Sequence, residues 1–373
     1  MKLISFSVNS FRSIINTEKI AVGDFTVLIG PNNEGKSNVL QSFVIALRIL
    51  EDIGKGSRKA SKQRKNQAIY RSGTGRIDAY SYDWQRDFPI SLQETSSSKQ
   101  TVFSIEFELD DEEKIEFKTK LHSNLNGTLP IQLQIDKDGI IGLKVKIKGP
   151  GQKVLSEKAA DVAQFVGAKI DFKYIPAVRT SEAAISIVQA KVDQELFELE
   201  NDDAYNNAIK TITDLQKPLL EKISTSIKDT LKEFLPNVQD VEIRVTDEAR
   251  RIALRRTCEV LVNDGSLTHL ESKGDGVKSL AALSLMRQSS GKDSSGRYQI
   301  LAVEEPESHL HPSAIHRLRI VFQELSAKHQ VLLTTHCPLF VERTNIAANI
   351  IVADHKAVPA KSIADIRNVL GVK

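Results

Sequence analysis

Cysteine is nearly missing, since the 373 residues contain two, Cys258 and Cys337. They lie far apart and match no metal-ligand spacing, so neither a disulfide framework nor a zinc site is expected. A reducing cytoplasm fits. Long apolar runs are missing too. No window approaches about eighteen uninterrupted apolar residues, and MKLISFSVNSFRSI at the start has no apolar segment behind a basic stretch, so neither secretion nor a membrane span is expected. One-sided charge is absent. A formal net charge of +3 is too small to announce a nucleic-acid binder, so any basic surface must be argued locally. No internal repeat is found, and no heptad pattern is sustained between residues 180 and 235, which excludes a long coiled coil. What remains is 40% hydrophobic content, enough to bury a sizeable core in one large or two smaller domains.

Periodicity places strands at residues 2–8 and 25–29 and a helix from Ser37 to Leu50. The run GKGSRKASKQRKN, 54–66, carries six Lys or Arg and no acid, and reads as a mobile loop. It is either a solvated loop or a sequence-independent contact to a phosphate backbone. TVFSIEFEL (101–109), LPIQLQI (129–135) and IIGLKVKIK (140–148) alternate as antiparallel strands, with a turn at Asp138 and Gly139. From Thr180 to about Leu235 the pattern is helical, with expected breaks near Asn201–Asp203 and at Pro218. Strand signals return at VEIRV (241–245) and CEVLV (258–262), and a helix follows Gly276. YQILAVEEP, a helix from Ser313 and QVLLTTH then alternate as a parallel α/β sheet does.

VLIGPNNEGKSNVLQSF, 27–43, holds Gly30, four residues, then Gly35, Lys36 and Ser37 between a strand and a helix. In this pattern backbone N–H groups and the helix N-terminus face phosphates, the lysine reaches β and γ oxygens, and the serine hydroxyl ligates Mg²⁺. A second constellation is ILAVEEP, where a buried strand delivers Glu304 and Glu305 to its carboxyl end, the edge at which α/β ligands bind. Alone, paired glutamates could simply start a helix before Pro306. Beside a phosphate loop, one carboxylate suits a magnesium shell and the next suits polarising a water. QVLLTTHCP ends its strand at Thr334, Thr335 and His336; the histidine is either a satisfied polar residue or a contact to a γ-phosphate or water. In LESKGDGVKSLAALSLM, Ser272, Gly274, Asp275 and Gly276 precede an amphipathic helix, which alone reads as a helix cap. The one D-x-D, Asp136 to Asp138, sits in a hairpin turn and reads as solvated turn acids.

The set NSFRSI, GPNNEGKSN, FKYIPAVR, SKGDG, EEPESHLHP and TTHCP resembles the ATPase of OLD-family (overcoming lysogenization defect) proteins, a group that includes the nuclease subunit of Gabija phage-defence systems. The resemblance spans nearly the whole chain. It implies an α/β fold: an ABC-type P-loop ATPase head with an antiparallel β subdomain and a helical insertion that dimerises. The implied division is an N-terminal lobe at 1–175, the insertion at 176–236 and a C-terminal lobe at 237–373. Two heads would sandwich ATP, with Gly30, Asn32, Asn33, Gly35, Lys36, Ser37, Asn38 and Arg12 on one copy opposite the signature residues Ser272, Gly274 and Asp275 of the other. By the same comparison Glu304 resembles the magnesium-site carboxylate, Glu305 the catalytic base, His336 the switch histidine and Ser308 to His311 the D-loop. The Q-loop glutamine comes from YDWQRDFPISLQ, 82–93, where Gln85 is preferred to Gln93 as a further Mg²⁺ ligand.

OLD proteins usually continue into a TOPRIM nuclease domain, and the closing SIADIRNVLGVK resembles the connector into one. No TOPRIM acidic cluster is visible in these residues. The expectation is therefore an ATPase portion, or a stand-alone ATPase whose effector is another polypeptide, with ATP and Mg²⁺ as cofactors. Its expected partners are a second copy, DNA and a TOPRIM nuclease, with no membrane. The expected role is control of DNA processing in phage defence. The alternative is a RecF- or SMC-like clamp in repair or recombination without a nuclease, against which the missing heptads count in the SMC case; a transporter subunit fits the helical insertion poorly.

Overall fold

The computed structural model describes residues 1–54, 62–64, 67–71, 82–94, 99–123, 125, 127–147, 155, 157–177, 188–189, 192–193, 195–235, 237, 239–256, 259–274, 276–278, 280–281, 284, 298–308, 310–354 and 356–371. Asp275 and Cys258 lie outside them, as do the side chains of the basic run from 55 to 66. In chain order the first elements are β1 (Lys2–Phe11), β2 (Ile14–Asn16), β3 (Ile20–Ala21), β4 (Phe25–Ile29), α1 (Lys36–Gly54), β5 (Lys62–Arg64) and β6 (Gln67–Arg71). There follow α2 (Trp84–Asp87), α3 (Ile90–Gln93), β7 (Gln100–Glu108), α4 (Asp111–Leu121), β8 (Thr128–Asp136), β9 (Ile140–Val145), α5 (Ala159–Lys169) and β10 (Ile170–Ile175). Then come α6 (Asp203–Phe234), α7 (Asp247–Arg256), β11 (Leu261–Asn263), β12 (Leu267–His269), β13 (Tyr298–Glu304) and α8 (Pro312–Ser326). β14 (Gln330–Thr335), β15 (Asn349–Ala353), β16 (Lys356–Pro359) and α9 (Ile363–Leu370) close the sequence.

Two sheet types follow from two sequence patterns. Strands with alternating burial, such as β8 with Leu129, Ile131, Leu133 and Ile135 inward, join an antiparallel sheet of order β2-β1-β7-β8-β9-β6-β5, with β3 beside β1. In β1 the apolar phase changes from Leu3 to Phe6 and Val8, which strict alternation cannot place on one face. A register shift between Leu3 and Ser5 against β7 absorbs the extra residue and turns all three inward. The pair β5–β6 also gives the end of the basic run a strand backbone, where a loop was expected. Continuous apolar runs make the second sheet: every residue of β4 and β14 is buried, and the order is β10-β13-β14-β4-β15-β16. Its strands are parallel except for the terminal β15–β16 hairpin.

α1 lies against strands of both sheets, burying Val39, Leu40, Phe43, Val44, Leu47 and Leu50. Each such side chain contributes about 1.5–3 kcal/mol on leaving water. The helix crosses α5 closely because glycines meet there: a Cβ on Gly167 would come within 1.9 Å of the Leu50 carbonyl oxygen. Gln330, fully buried, ties the sheets at their other end. Its side chain accepts from the Leu3 N–H at 2.8 Å and donates to the carbonyls of Leu3 at 2.6 Å and Gly23 at 3.1 Å.

The chain divides into Met1–Val178 with Met286–Lys373, and Arg179–Leu285. Residues 237–285, expected with the C-terminal lobe, thus group with the helices before them. Within this second unit Arg250 of α7 donates to Gln216 and Thr213 of α6 at 3.0 Å each, which fastens the two helices together. Two local expectations are overturned. α6 runs through Pro218 without a break; the residue is exposed, so water can take up the carbonyl that loses its donor. Residues 241–245 form no strand, because the Ile243 N–H bonds to the Ser224 hydroxyl on α6 at 3.1 Å instead of a neighbouring strand. Among the described residues no helix is long and apolar enough to cross a membrane.

Candidate functional site

β13, β14 and β4 are adjacent and parallel, so their carboxyl ends open on one edge of the sheet. From β4 the chain enters the loop Gly30–Gly35 and then α1. Gly30 must lack a side chain: a Cβ there would stand 2.2 Å from the Val352 carbonyl oxygen on β15. Asn33 and Gly35 adopt left-handed φ values of 68° and 99°, which curl the loop back over the start of α1. The Glu34 carboxylate accepts from the Asp354 N–H at 2.8 Å and pins the loop from outside. Asn32 is exposed at its tip, and Ser37 follows in the first turn of α1.

Lys36 is buried, and its ammonium donates to the carbonyls of Gly30 at 2.9 Å and Pro31 at 2.7 Å. Burial pushes it below the usual lysine range, while the carboxylates of Glu305, Glu307, Glu34 and Glu304 pull the other way. These four carboxylates thus act electrostatically on the Lys36 ammonium.

The acids are not equivalent. Glu304, buried at the end of β13, accepts from the hydroxyl of Tyr174 on β10 at 2.8 Å and from the N–H of Ala177, just past β10, at 3.4 Å. Glu305 turns the chain with φ at 41°, a left-handed value rare outside glycine, held by N–H bonds to the Thr334 carbonyl at 3.0 Å and hydroxyl at 3.1 Å. Glu307 is buried, and one oxygen, Oε1, accepts from the Thr335 hydroxyl and from the His336 N–H at 3.0 Å. His336 Nδ1 stands 3.3 Å from the same oxygen, and the histidine side chain is half-exposed.

Arg12, also at positive φ, 50°, donates to Asp87 at 2.8 Å, to Asn38 at 3.3 Å and to Gln41. It joins α2 to the first turns of α1. Burial pushes the Asp87 carboxyl up, but bonds from Arg86, the Asp83 N–H and Arg12 outweigh it and leave the group below its usual range. Asn38 in turn donates to Ser13 at 2.9 Å. Gln85 is exposed on α2, with its carbonyl accepting from Gln93 at 3.4 Å. Ser272 and Gly274 are exposed in the second unit. The structure thus brings Lys36, Glu304, Glu305 and His336 to neighbouring strand ends. Sequence reasoning missed Glu307 and Tyr174, although both lie inside quoted motifs; the only available signal was a third glutamate two residues past the pair.

A family described as AAA ATPase domain matches residues 59–341, beginning after the Gly30–Gly35 loop and including the EEP and TTH segments. No protein of curated function matches the chain. Among solved structures, the Smc head bound to the C-winged helix domain of ScpA is 14% identical, with 98% of this chain and 99% of that one covered at a TM-score of 0.51. A second, the Smc head domain with an extended coiled coil bound to the C-terminal domain of ScpA from Pyrococcus furiosus, is 14% identical, covering 99% and 98% at a TM-score of 0.46. The first likeness is one of fold: a mixed α/β head of the ABC type.

Proposed function

Because the chain belongs to the AAA ATPase domain family, we propose that it binds and hydrolyses ATP at the β4–β14–β13 edge. The observation that carries this reading is the grouping there of Lys36, Glu304, Glu305 and His336 around a glycine-bearing loop. The backbone of Gly30, Asn32, Asn33 and Gly35 cradles the phosphates, and Lys36 exchanges its loop carbonyls for phosphate oxygens. Asn38 and Arg12 border the same helix terminus. Glu305 takes the proton of the attacking water, and His336 orients that water or the γ-phosphate.

The donor set suits Mg²⁺: an aliphatic hydroxyl, Ser37, and a buried carboxylate, Glu304, whose Oε2 is already fixed by Tyr174, with Gln85 as a further oxygen ligand. When bound, the ion would supply neutralisation of phosphate charge. Glu304 is preoriented by Tyr174 of β10 and by Ala177 just past it, so its position does not depend on the nucleotide.

The unit 179–285 supports a homodimer. α6 leaves Ile212, Leu215, Leu219 and Ile223 exposed along one face, a stripe that a second copy would cover. In such a dimer Ser272 and Gly274 of one copy would face the nucleotide of the other. The resemblance to OLD proteins supports a cytoplasmic ATPase that controls a TOPRIM nuclease acting on DNA in phage defence. Phosphate release from the wild type, its loss in Glu305→Gln with ATP binding intact, and a dimer in light scattering are the expected results. Equal turnover in Glu305→Gln would remove Glu305 from its role. The chain alone should leave supercoiled plasmid uncut with Mg²⁺ or Mn²⁺. DNA held by the Glu305→Gln form under ATP, with no nuclease partner recruited, would favour the clamp reading.

A further inference from the structure

Glu307 is a carboxylate buried to 6% exposure, and its second oxygen, Oε2, is buried with no hydrogen-bond partner among the described residues. Leaving a charged oxygen buried and unpartnered is costly, and an amide in the same place would serve the local bonds at a smaller desolvation penalty. Such a cost is characteristic of functional sites rather than of scaffolding. The other oxygen accepts from the Thr335 hydroxyl and the His336 N–H, and it faces His336 Nδ1 at 3.3 Å. Two donors at the end of β14, the Thr335 hydroxyl and the His336 N–H, therefore meet on one atom from the loop after β13, with His336 Nδ1 beside them. An acceptor-only carboxylate oxygen opposite Nδ1 selects the ring form that carries its proton there. The far nitrogen, Nε2, is then left as the acceptor on a half-exposed ring.

We propose that Glu307 is the positioning residue of His336, fixing both its backbone and its tautomer so that Nε2 presents a lone pair at the hydrolytic edge. The arrangement matches the logic of a histidine oriented by a carboxylate on its other nitrogen. This rests on the ATPase reading for its purpose, though the tautomer itself does not. Glu307 also contributes to the field at Lys36, so removing it without acting on His336 would show in ATP binding rather than in turnover.

The test compares Glu307→Leu and Glu307→Gln, each alone and combined with His336→Ala, in the full chain. Glu307→Leu should lower kcat about 10- to 100-fold, the range usual for a lost orienting partner, with KM for ATP nearly unchanged. Glu307→Gln keeps a neutral acceptor and should recover much of the loss. In the His336→Ala background Glu307→Leu should cost nothing further. Independently of activity, ¹⁵N-histidine spectra at about pH 8, where a free imidazole is neutral, should show His336 protonated on Nδ1 in the wild type and released from that form in Glu307→Leu. An equal fall in both backgrounds, or a wild-type Nδ1 without its proton, overturns the proposal. A wild type that hydrolyses no ATP but shows the Nδ1 proton would overturn the ATPase reading and leave the positioning role standing.

Discussion

Replacing Lys36 by alanine should separate binding from folding at this site. The ammonium donates to Gly30 and Pro31 carbonyls of its own loop at 2.9 and 2.7 Å, so two of its donors are already arranged to meet acceptors at the strand edge. Charge-assisted hydrogen bonds are worth about 1.5–3 kcal/mol each, so two directed at phosphate oxygens amount to about 3–6 kcal/mol. At about 1.4 kcal/mol per tenfold, the Kd for ATP should rise between about a hundredfold and ten-thousandfold. The free protein should lose much less. Pro31 is exposed, so water can replace the ammonium at its carbonyl, and relief of the buried charge offsets part of what remains. Unfolding free energy should change by no more than about 1 kcal/mol. Titration calorimetry with ATP beside urea denaturation reads both quantities. A Kd within tenfold of wild type would refute the assignment of Lys36 to phosphate, and a large loss of stability with it would show that the lysine serves the fold.

Two further predictions concern groups away from the phosphate loop. Gln330→Leu strips partners from the buried Leu3 N–H, the Leu3 carbonyl and the Gly23 carbonyl, and at about 1–3 kcal/mol per orphaned group it should destabilise by about 3 kcal/mol or more; a shift below about 1 kcal/mol in urea unfolding would show that water reaches this junction. Asp87 titrates below its usual 3.8 in the folded protein, so its contribution is complete above that value and is lost as pH falls beneath it. Asp87→Asn should therefore flatten the acid side of the stability profile, and an unchanged slope between wild type and variant would remove Asp87 from the acid transition.

The strand, glycine loop and helix from Phe25 were legible because their pattern is local: an apolar strand, two glycines and a helix fall within one stretch, and β4 occupies the expected 25–29. The parallel strands after Tyr298 were legible for the same reason, since burial on both faces leaves an uninterrupted apolar run. Pro218 misled because a proline rule describes an average helix, whereas α6 exposes that residue to water. VEIRV misled because alternation shows what a strand would need but not whether a partner strand lies alongside. Glu307 escaped because its meaning lies in a contact with residues 335 and 336 that only the pairing of β13 with β14 creates. Tyr174 escaped likewise, through the pairing of β10 with β13.

Those two pairings also explain how three glutamates can occupy four consecutive positions, 304 to 307, without acting as one charge cluster. β13 lies between β10 and β14 in the sheet. Glu304 is drawn to the β10 side by Tyr174 and Ala177, and Glu307 to the β14 side by Thr335 and His336. The chain can send them opposite ways because Glu305 takes the left-handed conformation between them, a strain of about 1–3 kcal/mol for a residue with a Cβ. The two bonds from its N–H to Thr334 offset that strain, and they depend on the threonine side chain as well as its backbone. Each flanking carboxylate is thus fixed by a neighbouring strand, while Glu305 has its backbone fixed to β14 at the point where the strand ends open. The base role proposed above for Glu305 calls for that division, neighbours held in place by the fold and a backbone anchored at the strand edge.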